Sequence, residues 1–392
     1  MWFVLSIIGL MLAADAWWWW YADRAARKAE LSKRWRVAIG IFMSLTLIGL
    51  VLLLAARIIR MEAMIMPEWA VKMVFIWHFL LLPLVFLPSL AGRIASAVRR
   101  VILPPRIEPL PEQSPISSRR AFLAQAMIIA PPVVTLAMTG QAAIDRDDFR
   151  VRKIDLPIPN LPPALDGLTI AHVADPHIGS FMSDAKFKAI IQRTNELDAD
   201  LVLHAGDLIN HSLKDLPDGI EMLRAFRGRY GAYSCQGNHD LIDKPFIFER
   251  DTRRADVGML LDAAPTLRIK GQNVQIMAPR WGGRTDDGLN KSVNRLLPLR
   301  DNNAFTILLA HHPHCFDAAA NAGIPLTLCG HTHGGQIRLF GDLGFGPLMY
   351  RYWSGAYRRN DSTIVVSNGI GNWFPLRLNV PCEIIHLTLR HA

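Results

Sequence analysis

The sequence predicts an α/β layered domain preceded by an all-α transmembrane region of about four spans. Three observations predict it. Residues before about 144 hold long uncharged apolar runs. After Leu168, short apolar runs rich in β-branched residues alternate with stretches of helical spacing. Five of those short runs each break off into a cluster of Asp, Asn or His: Asp175-Pro176-His177, Gly206-Asp207, Gly237-Asn238-His239-Asp240, His311-His312-Pro313 and Gly330-His331-Thr332-His333.

A chain of 392 residues exceeds one ordinary domain, so two units are expected. Hydrophobic residues make up 51% and charged residues 20%, and the apolar excess sits in the first part of the chain. A formal net charge of +9 raises two partners, nucleic acid or an anionic membrane surface. Many of the basic residues flank apolar runs, which assigns them to membrane orientation. The chain shows no zinc-finger spacing, helix-turn-helix signal or basic patch interleaved with aromatics, so no nucleic-acid partner is expected. Cys235, Cys315, Cys329 and Cys382 form no CxxC pair. They read as buried thiols rather than a thiolate zinc site or a redox motif.

Residues 1–143 read as the transmembrane region. Trp2 to Trp20 is long enough to cross the hydrocarbon core, and Trp17-Trp18-Trp19-Trp20-Tyr21 suits an interfacial belt. Val37 to Ala56 is a second apolar run, and Val74 to Leu90 a third. The fourth, Ala121 to Ala143, is interrupted by Pro131-Pro132. His78, in the third run, reads as a packing or interfacial residue. Arg24, Arg27, Lys28, Lys33, Arg34 and Arg36 follow the first run; Arg93, Arg99, Arg100, Arg106, Arg119 and Arg120 lie before the fourth, in an irregular Pro-rich loop. With both basic loops on the cytoplasmic side, the chain after residue 144 is expected outside it. The implied location is a bacterial-type inner (plasma) membrane, crossed several times. Residues 118–123, Ser118-Arg119-Arg120-Ala121-Phe122-Leu123, resemble a twin-arginine export signal; the alternative is an ordinary pair of orienting arginines. Residues 144–165 are expected to be an extended linker into a globular domain at 166–392.

Within that domain, Leu168 to Ala174, Asp200 to Ala205, Gly231 to Cys235, Phe305 to Ala310 and Ile324 to Leu328 read as buried strands. Ser183 to Leu197 has helical spacing, with Phe187, Ile190 and Ile191 on one face. Ile364 to Val366 and Glu383 to Leu389 are late strands that could build a second sheet. Ligands of open α/β sheets gather beyond the carboxyl ends of the strands. One such end bearing Asp or His is usually a turn or cap. Five gathered together would strand carboxylates and imidazoles without partners unless a cation sits among them. A divalent metal takes carboxylate oxygen and imidazole nitrogen readily, and a shared carboxylate can bridge two ions. Two such ions orient a phosphate ester and lower the pKa of water into a nucleophile.

The order D-x-H, G-D, G-N-H-D, H-x-P, G-H-x-H resembles the calcineurin-like metallophosphoesterase superfamily, over roughly residues 165 to 390. The continuation Gly330-His331-Thr332-His333-Gly334-Gly335-Gln336-Ile337-Arg338-Leu339 is similar to its membrane-linked branch, with the YkuE- and YaeI-type proteins and the transmembrane metallophosphoesterases. So are Tyr357-Arg358, Ser367-Asn368-Gly369-Ile370-Gly371 and Pro375-Leu376-Arg377. The resemblance implies a layered β-sandwich flanked by helices. It implies two divalent ions (Mn, Fe or Zn). Asp175, His177 and His333 would hold the first, Asn238, His311 and His331 the second, and Asp207 would bridge both. His239 would face the substrate and protonate the leaving oxygen, with Asp240 behind it to orient it. Two departures from the family pattern bear on the substrate pocket: Leu208-Ile209-Asn210 after the G-D block, and Phe340 where relatives often place a proline.

The remaining candidates read more plainly. His172 belongs to the core, His204 stands behind the ligands at most, and His312 flanks a ligand. Arg338, Arg351 and Arg377 suit bidentate contact with phosphate but read as solvated surface arginines. The implied activity is hydrolysis of a phosphoester or pyrophosphate bond by metal-activated hydroxide, on a phosphorylated and, given the anchor, lipid-linked substrate. Relatives include enzymes that cleave the pyrophosphate of UDP-2,3-diacylglucosamine in lipid A biosynthesis. The alternative from another class is a non-catalytic membrane sensor or docking module.

Overall fold

The computed structural model describes residues 2–58, 66–102, 118–144, 148–341, 343–374 and 376–392. The chain divides into two compact units, Met1–Ala143 and Ile144–Ala392.

The first unit is helical: α1 (Trp2–Lys28), α2 (Lys33–Ile58), α3 (Glu68–Phe75), α4 (Leu82–Ile102) and α5 (Ser118–Ile144). Three stretches among the described residues are long and apolar enough to cross a membrane: Lys33–Ala56, Glu68–Arg99 and Gln125–Ile144. The expected first span forms helix α1, with Asp15 inside it. The Pro131-Pro132 pair does not interrupt α5. The Pro-rich loop at 103–117 and the side chains of the twin-arginine-like segment lie outside the described residues.

A π-helical turn, Ile76–Leu81, joins α3 to α4 just before Pro83, whose missing N–H would leave a gap in a regular α-ladder. It carries His78, which is buried and not interfacial. His78 Nε2 lies 2.9 Å from Asp15 Oδ2, and Trp77 Nε1 donates to Asp15 Oδ1 at 2.8 Å. The pair is surrounded by aromatic packing, with Trp77 edge-on to Trp18 and Phe42. A carboxylate buried among apolar helices needs such partners.

The second unit is a two-sheet sandwich. In chain order it holds β1 (Phe149–Ile158), β2 (Thr169–Val173), α6 (Asp184–Glu196), β3 (Leu201–His204), α7 (Leu216–Ala225), β4 (Ala232–Ser234) and α8 (Pro245–Ala255). Then follow β5 (Thr266–Ile269), β6 (Gln272–Met277), α9 (Asp286–Asn294), β7 (Phe305–Leu309), α10 (Cys315–Asn321) and β8 (Leu326–Cys329). The chain ends with β9 (Arg338–Phe340), β10 (Leu343–Gly344), α11 (Gly346–Met349), β11 (Gly355–Arg359), β12 (Ser362–Val366) and β13 (Cys382–His391). One sheet has the order β1-β13-β2-β3-β4 and the other β11-β12-β8-β7-β6-β5.

Alternate residues of both sheets meet in one core. Ile170, Leu203 and Leu387 of the first sheet join Ile307, Leu328 and Val365 of the second, all fully buried. The outer face of the first sheet is covered through Ile190, Met222 and Phe248, and that of the second through Leu289 and Phe316. These four layers follow from strands that are apolar on both faces.

Two expectations need correcting. Residues 144–165 are not a free linker: Phe149–Ile158 pairs along its whole length with β13. Ile154, Leu156 and Ile158 alternate with the exposed Lys153, Asp155 and Pro157 in a strand pattern, and Pro157 is tolerated because the strand is at the sheet edge. The two late strands do not share a sheet either. β12 pairs with β8 in the second, whereas β13 is inserted between β1 and β2 in the first. The four cysteines are all buried and free, as expected.

Candidate metal centre

The five Asp, Asn and His clusters come from both sheets. β2, β3 and β4 run parallel in the first, β7 and β8 parallel in the second, and the carboxyl ends of both sets converge. Asp175, His177 and His333 bring one ligand atom each within 4.8 Å of one another; so do Asp207, His311 and His331, and so do His177, Asp207 and His239. Asp207 and His177 each belong to two of the three sets. Asn238 joins them through Oδ1, 3.1 Å from His311 Nε2.

Local backbone shape makes this convergence possible. Asp175, His177, Asp207, His331 and His333 all have positive φ, between 46° and 71°. A residue with a Cβ pays about 1 kcal/mol or more for that conformation. Five such residues in one centre are a structural mark of function. Gly330 allows a different thing, close approach: a Cβ there would overlap the Asp175 carboxylate. That carboxylate accepts from the His331 N–H, 3.0 Å from both oxygens.

The donors suit a divalent cation. His177 Nε2 and His333 Nε2 face each other at 3.0 Å, and His331 Nδ1 lies 3.1 Å from His311 Nε2. Burial pushes His177, His331 and His333 well below the usual imidazole range, so their rings are neutral and hold lone pairs. Burial would also raise Asp207, but the charge of His311 and its hydrogen bond hold the carboxylate below the usual range. Asp175 is driven the other way: burial, reinforced by Asp207 and opposed by His311, takes it to about 7. Two carboxylates buried this close repel each other, and a cation between them removes the cost. His311 is fixed as a donor at Nδ1, which gives its proton to the Ala205 carbonyl at 2.7 Å and aims Nε2 inward.

His239 is half-buried and its ring centroid is 4.6 Å from that of His177. Its backbone N–H donates to Asp207 Oδ1 at 2.8 Å. Asp240 does not orient it. The Asp240 carboxylate accepts from the Gly237 and Ile209 N–H groups at 2.8 and 3.1 Å. His239 Nδ1 instead meets the carbonyl oxygen of Asn210. Adjacent side chains on a tight turn point apart, so Asp240 braces the two loops while Asn210, in a stretch that departs from the family pattern, holds the histidine.

Several contributors were not legible as such. Arg377 is buried rather than solvated; Nη2 is 2.8 Å from His333 Nδ1, and the guanidinium also donates to the Asn368 and Gly371 carbonyls at 2.8 and 2.7 Å. The turn after β12 brings Gly369 under Asp175 and His333, making a sixth strand end in the centre. Its signal in the sequence is the Asn368-Gly369 pair after an apolar run. Trp281 packs 5.6 Å from the rings of His311 and His331, and Tyr350 lies 5.7 Å from His331. Arg351 pairs with Asp286 and Asp317, and Arg338 stacks over Trp353 at 4.6 Å. His172 is a core residue between two backbone carbonyls, and buried His204 Nδ1 meets Ser234 Oγ at 2.7 Å.

Comparison with known proteins agrees with this geometry. Residues 168–335 match the family model of the calcineurin-like phosphoesterases. The chain is 29% identical over 267 residues to a Danio rerio transmembrane protein with metallophosphoesterase domain, covering 62% of this chain and 58% of that one. It is 28% identical over 244 residues to YkuE of Bacillus subtilis, an uncharacterized metallophosphoesterase, covering 59% and 82%. It is 25% identical over 229 residues to the phosphodiesterase YaeI of Escherichia coli, covering 56% and 81%. The chain spans about three fifths of the length of the first curated relatives it matches. The five strand ends, the two sheets and the Asp/His sets therefore have one description: residues 168–335 form a calcineurin-like phosphoesterase domain.

Proposed function

We propose that this chain is a membrane-anchored, dinuclear metal-dependent phosphoesterase that hydrolyses a phosphoester or pyrophosphate bond. The observation that carries the reading is the overlap of three Asp/His sets on Asp207 and His177. Asp175, His177 and His333 would hold one ion, Asn238, His311 and His331 the other, and Asp207 both. Bound there, divalent ions supply Lewis acidity, lowering the pKa of water and offsetting charge on the phosphate. A water oxygen attacks phosphorus as the P–O bond to the leaving group breaks. His239, held at Nδ1 by the Asn210 carbonyl, has Nε2 left to give a proton to the departing oxygen. The half-buried position of His239 beside the ligands favours this over a non-catalytic sensor, which has no use for a proton donor there.

The test is Asp207→Ala in the full chain, with hydrolysis of a nitrophenyl phosphodiester followed before and after chelation. Activity should be lost in the variant and on chelation, and return with added divalent metal only in the parent. Undiminished activity in Asp207→Ala rules the proposal out.

The anchor suits a lipid-linked phosphate compound, of which a UDP-2,3-diacylglucosamine-like pyrophosphate is one. The basic loops support a domain outside the cytoplasm of an inner membrane crossed several times. An alkaline phosphatase fusion at the C-terminus should then be active. An inactive fusion, with a cytoplasmic reporter active instead, reverses the topology and strengthens the lipid A type of reaction, which needs a cytoplasmic nucleotide.

A further inference from the structure

Large apolar side chains are exposed in an uneven way on the phosphoesterase unit. Among the described residues after Phe149, eight are exposed, and seven of them lie on three segments near the metal centre. Ile242 and Phe246, the latter 88% exposed, follow His239 within seven residues. Four lie between 343 and 349, among them Leu348 at 81% and Met349 at 63%, next to Tyr350, whose ring meets His331. Trp373 is 43% exposed with its ring 6.0 Å from that of His239. The eighth, Leu299, stands apart. Single exposed apolar residues are ordinary; a set confined to the mouth of one site marks an interaction surface. Lys244 is exposed among these residues beside Asp243, and Arg284, near enough for its charge to act on Tyr350, is exposed beside Asp286 and Asp287.

The attachment of the chain says what this surface meets. β1 starts at Phe149, five residues after the last apolar helix ends at Ile144. Phe149 pairs with Cys382 of β13, and β13 runs antiparallel to β2 with Ile385 opposite His172. The start of β1 is therefore at the Val173 end of β2, the end that leads to Asp175. Within this unit the first strand thus begins at the end that carries the metal centre and the apolar rim, and in sequence the candidate span Gln125–Ile144 comes just before it. Aromatic and aliphatic side chains flanked by Lys and Arg suit the acyl boundary and the anionic headgroups of a bilayer.

We propose that the Ile242–Phe246, Leu343–Met349 and Trp373 segments are a bilayer-docking surface that presents the centre to phosphate groups of membrane lipids. This rests on the phosphoesterase reading for its chemistry but not for its contact with lipid. The test uses the full chain, in which the four native thiols are buried, reconstituted in mixed phosphatidylcholine and phosphatidylglycerol vesicles. Leu348→Cys and Phe246→Cys carry an environment-sensitive dye. Asp361→Cys, at the β11–β12 turn at the opposite end of its sheet, is the control. The two rim labels should shift to the blue and be quenched by doxyl-labelled lipid, and the control should do neither. In parallel, the Phe246→Ser, Leu348→Ser double variant should keep the rate on the soluble nitrophenyl diester while losing at least tenfold on phosphatidyl-nitrophenol in the vesicles.

Rim labels left unquenched by doxyl lipid overturn the proposal. So does a blue shift already present in detergent, which assigns the rim to a second copy of the chain. Equal loss on both esters in the double variant also overturns it. Quenched labels with no hydrolysis of either ester in the parent would instead remove the phosphoesterase reading and leave the docking surface standing.

Discussion

Gly330→Ala tests the geometry of the centre at a single atom. The new Cβ would overlap Asp175 Oδ2 and sit 2.7 Å from Ala174 Cβ. Gly330 does not have a positive φ, so alanine adopts the backbone without strain and the whole effect is the contact. Relief has two routes. The Asp175 carboxylate can swing away from the His331 N–H, losing a charge-assisted hydrogen bond that contributes about 2 kcal/mol. Alternatively the ends of β2 and β8 can separate, at a similar cost of about 1–3 kcal/mol for overpacking. Either route displaces Asp175 and moves the backbone that carries His331 and His333. Metal affinity should fall by roughly 10- to 100-fold, the range seen when the support of a ligand is removed. The assay is metal content after equilibrium dialysis against graded divalent metal, alongside thermal unfolding. Gly271→Ala is the control. Its φ of +79° costs alanine about 1 kcal/mol, but no atom lies within 4 Å of the added Cβ, so metal content should not change. If Gly330→Ala bound metal as tightly as the parent, the close approach described here would be wrong.

Three further outcomes are expected. His239→Gln should lower kcat by roughly 10²- to 10⁴-fold, as loss of a general acid does, while metal content stays at the parental level; a parallel loss of metal would make it a ligand instead. Cys235 and Cys329 are pushed well up by burial and Cys315 to about 12, so native protein at pH 8 should resist iodoacetamide at these positions until unfolded. Rapid labelling of the native chain there would contradict the burial. In the helical unit, Asp15→Leu removes the acceptor of Trp77 and the partner of His78. It should destabilise that unit by about 3 kcal/mol, read as lost thermal stability in detergent, whereas an unchanged melting profile would show the pair to be dispensable.

What was legible in the chain follows from which forces are local. The five polar strand ends stand out because a run such as Ile307-Leu308-Leu309-Ala310 ends abruptly at His311, a contrast set by burial alone. Which sheet each strand joins is not local. The β5–β6 hairpin sits between β4 and β7 in the chain and starts a second sheet, so the ligands converge from two sheets and not along one edge. The same limit explains β13, whose Glu383 is wholly buried and lies 3.2 Å from Arg150 of β1, a pairing separated by most of the domain.

Arg377 shows the limit most clearly. An arginine near the C-terminus of a basic chain reads as solvated, and only the fold reveals that carbonyls of Asn368 and Gly371 surround it and that His333 takes its remaining edge. The five left-handed ligands are the counterpart in the backbone. Propensity argues against positive φ at Asp175, His177, Asp207, His331 and His333, and no pattern in the sequence announces it. Yet the two carboxylates among them are held there by a neighbour that the motif itself supplies: the His331 N–H grips Asp175, and the His239 N–H grips Asp207. The blocks are recognisable as chemistry because their side chains suit metal. They persist as structure because the backbone donor of one block satisfies the carboxylate of another. Replacing one ligand side chain should therefore loosen a second loop as well as empty a coordination position.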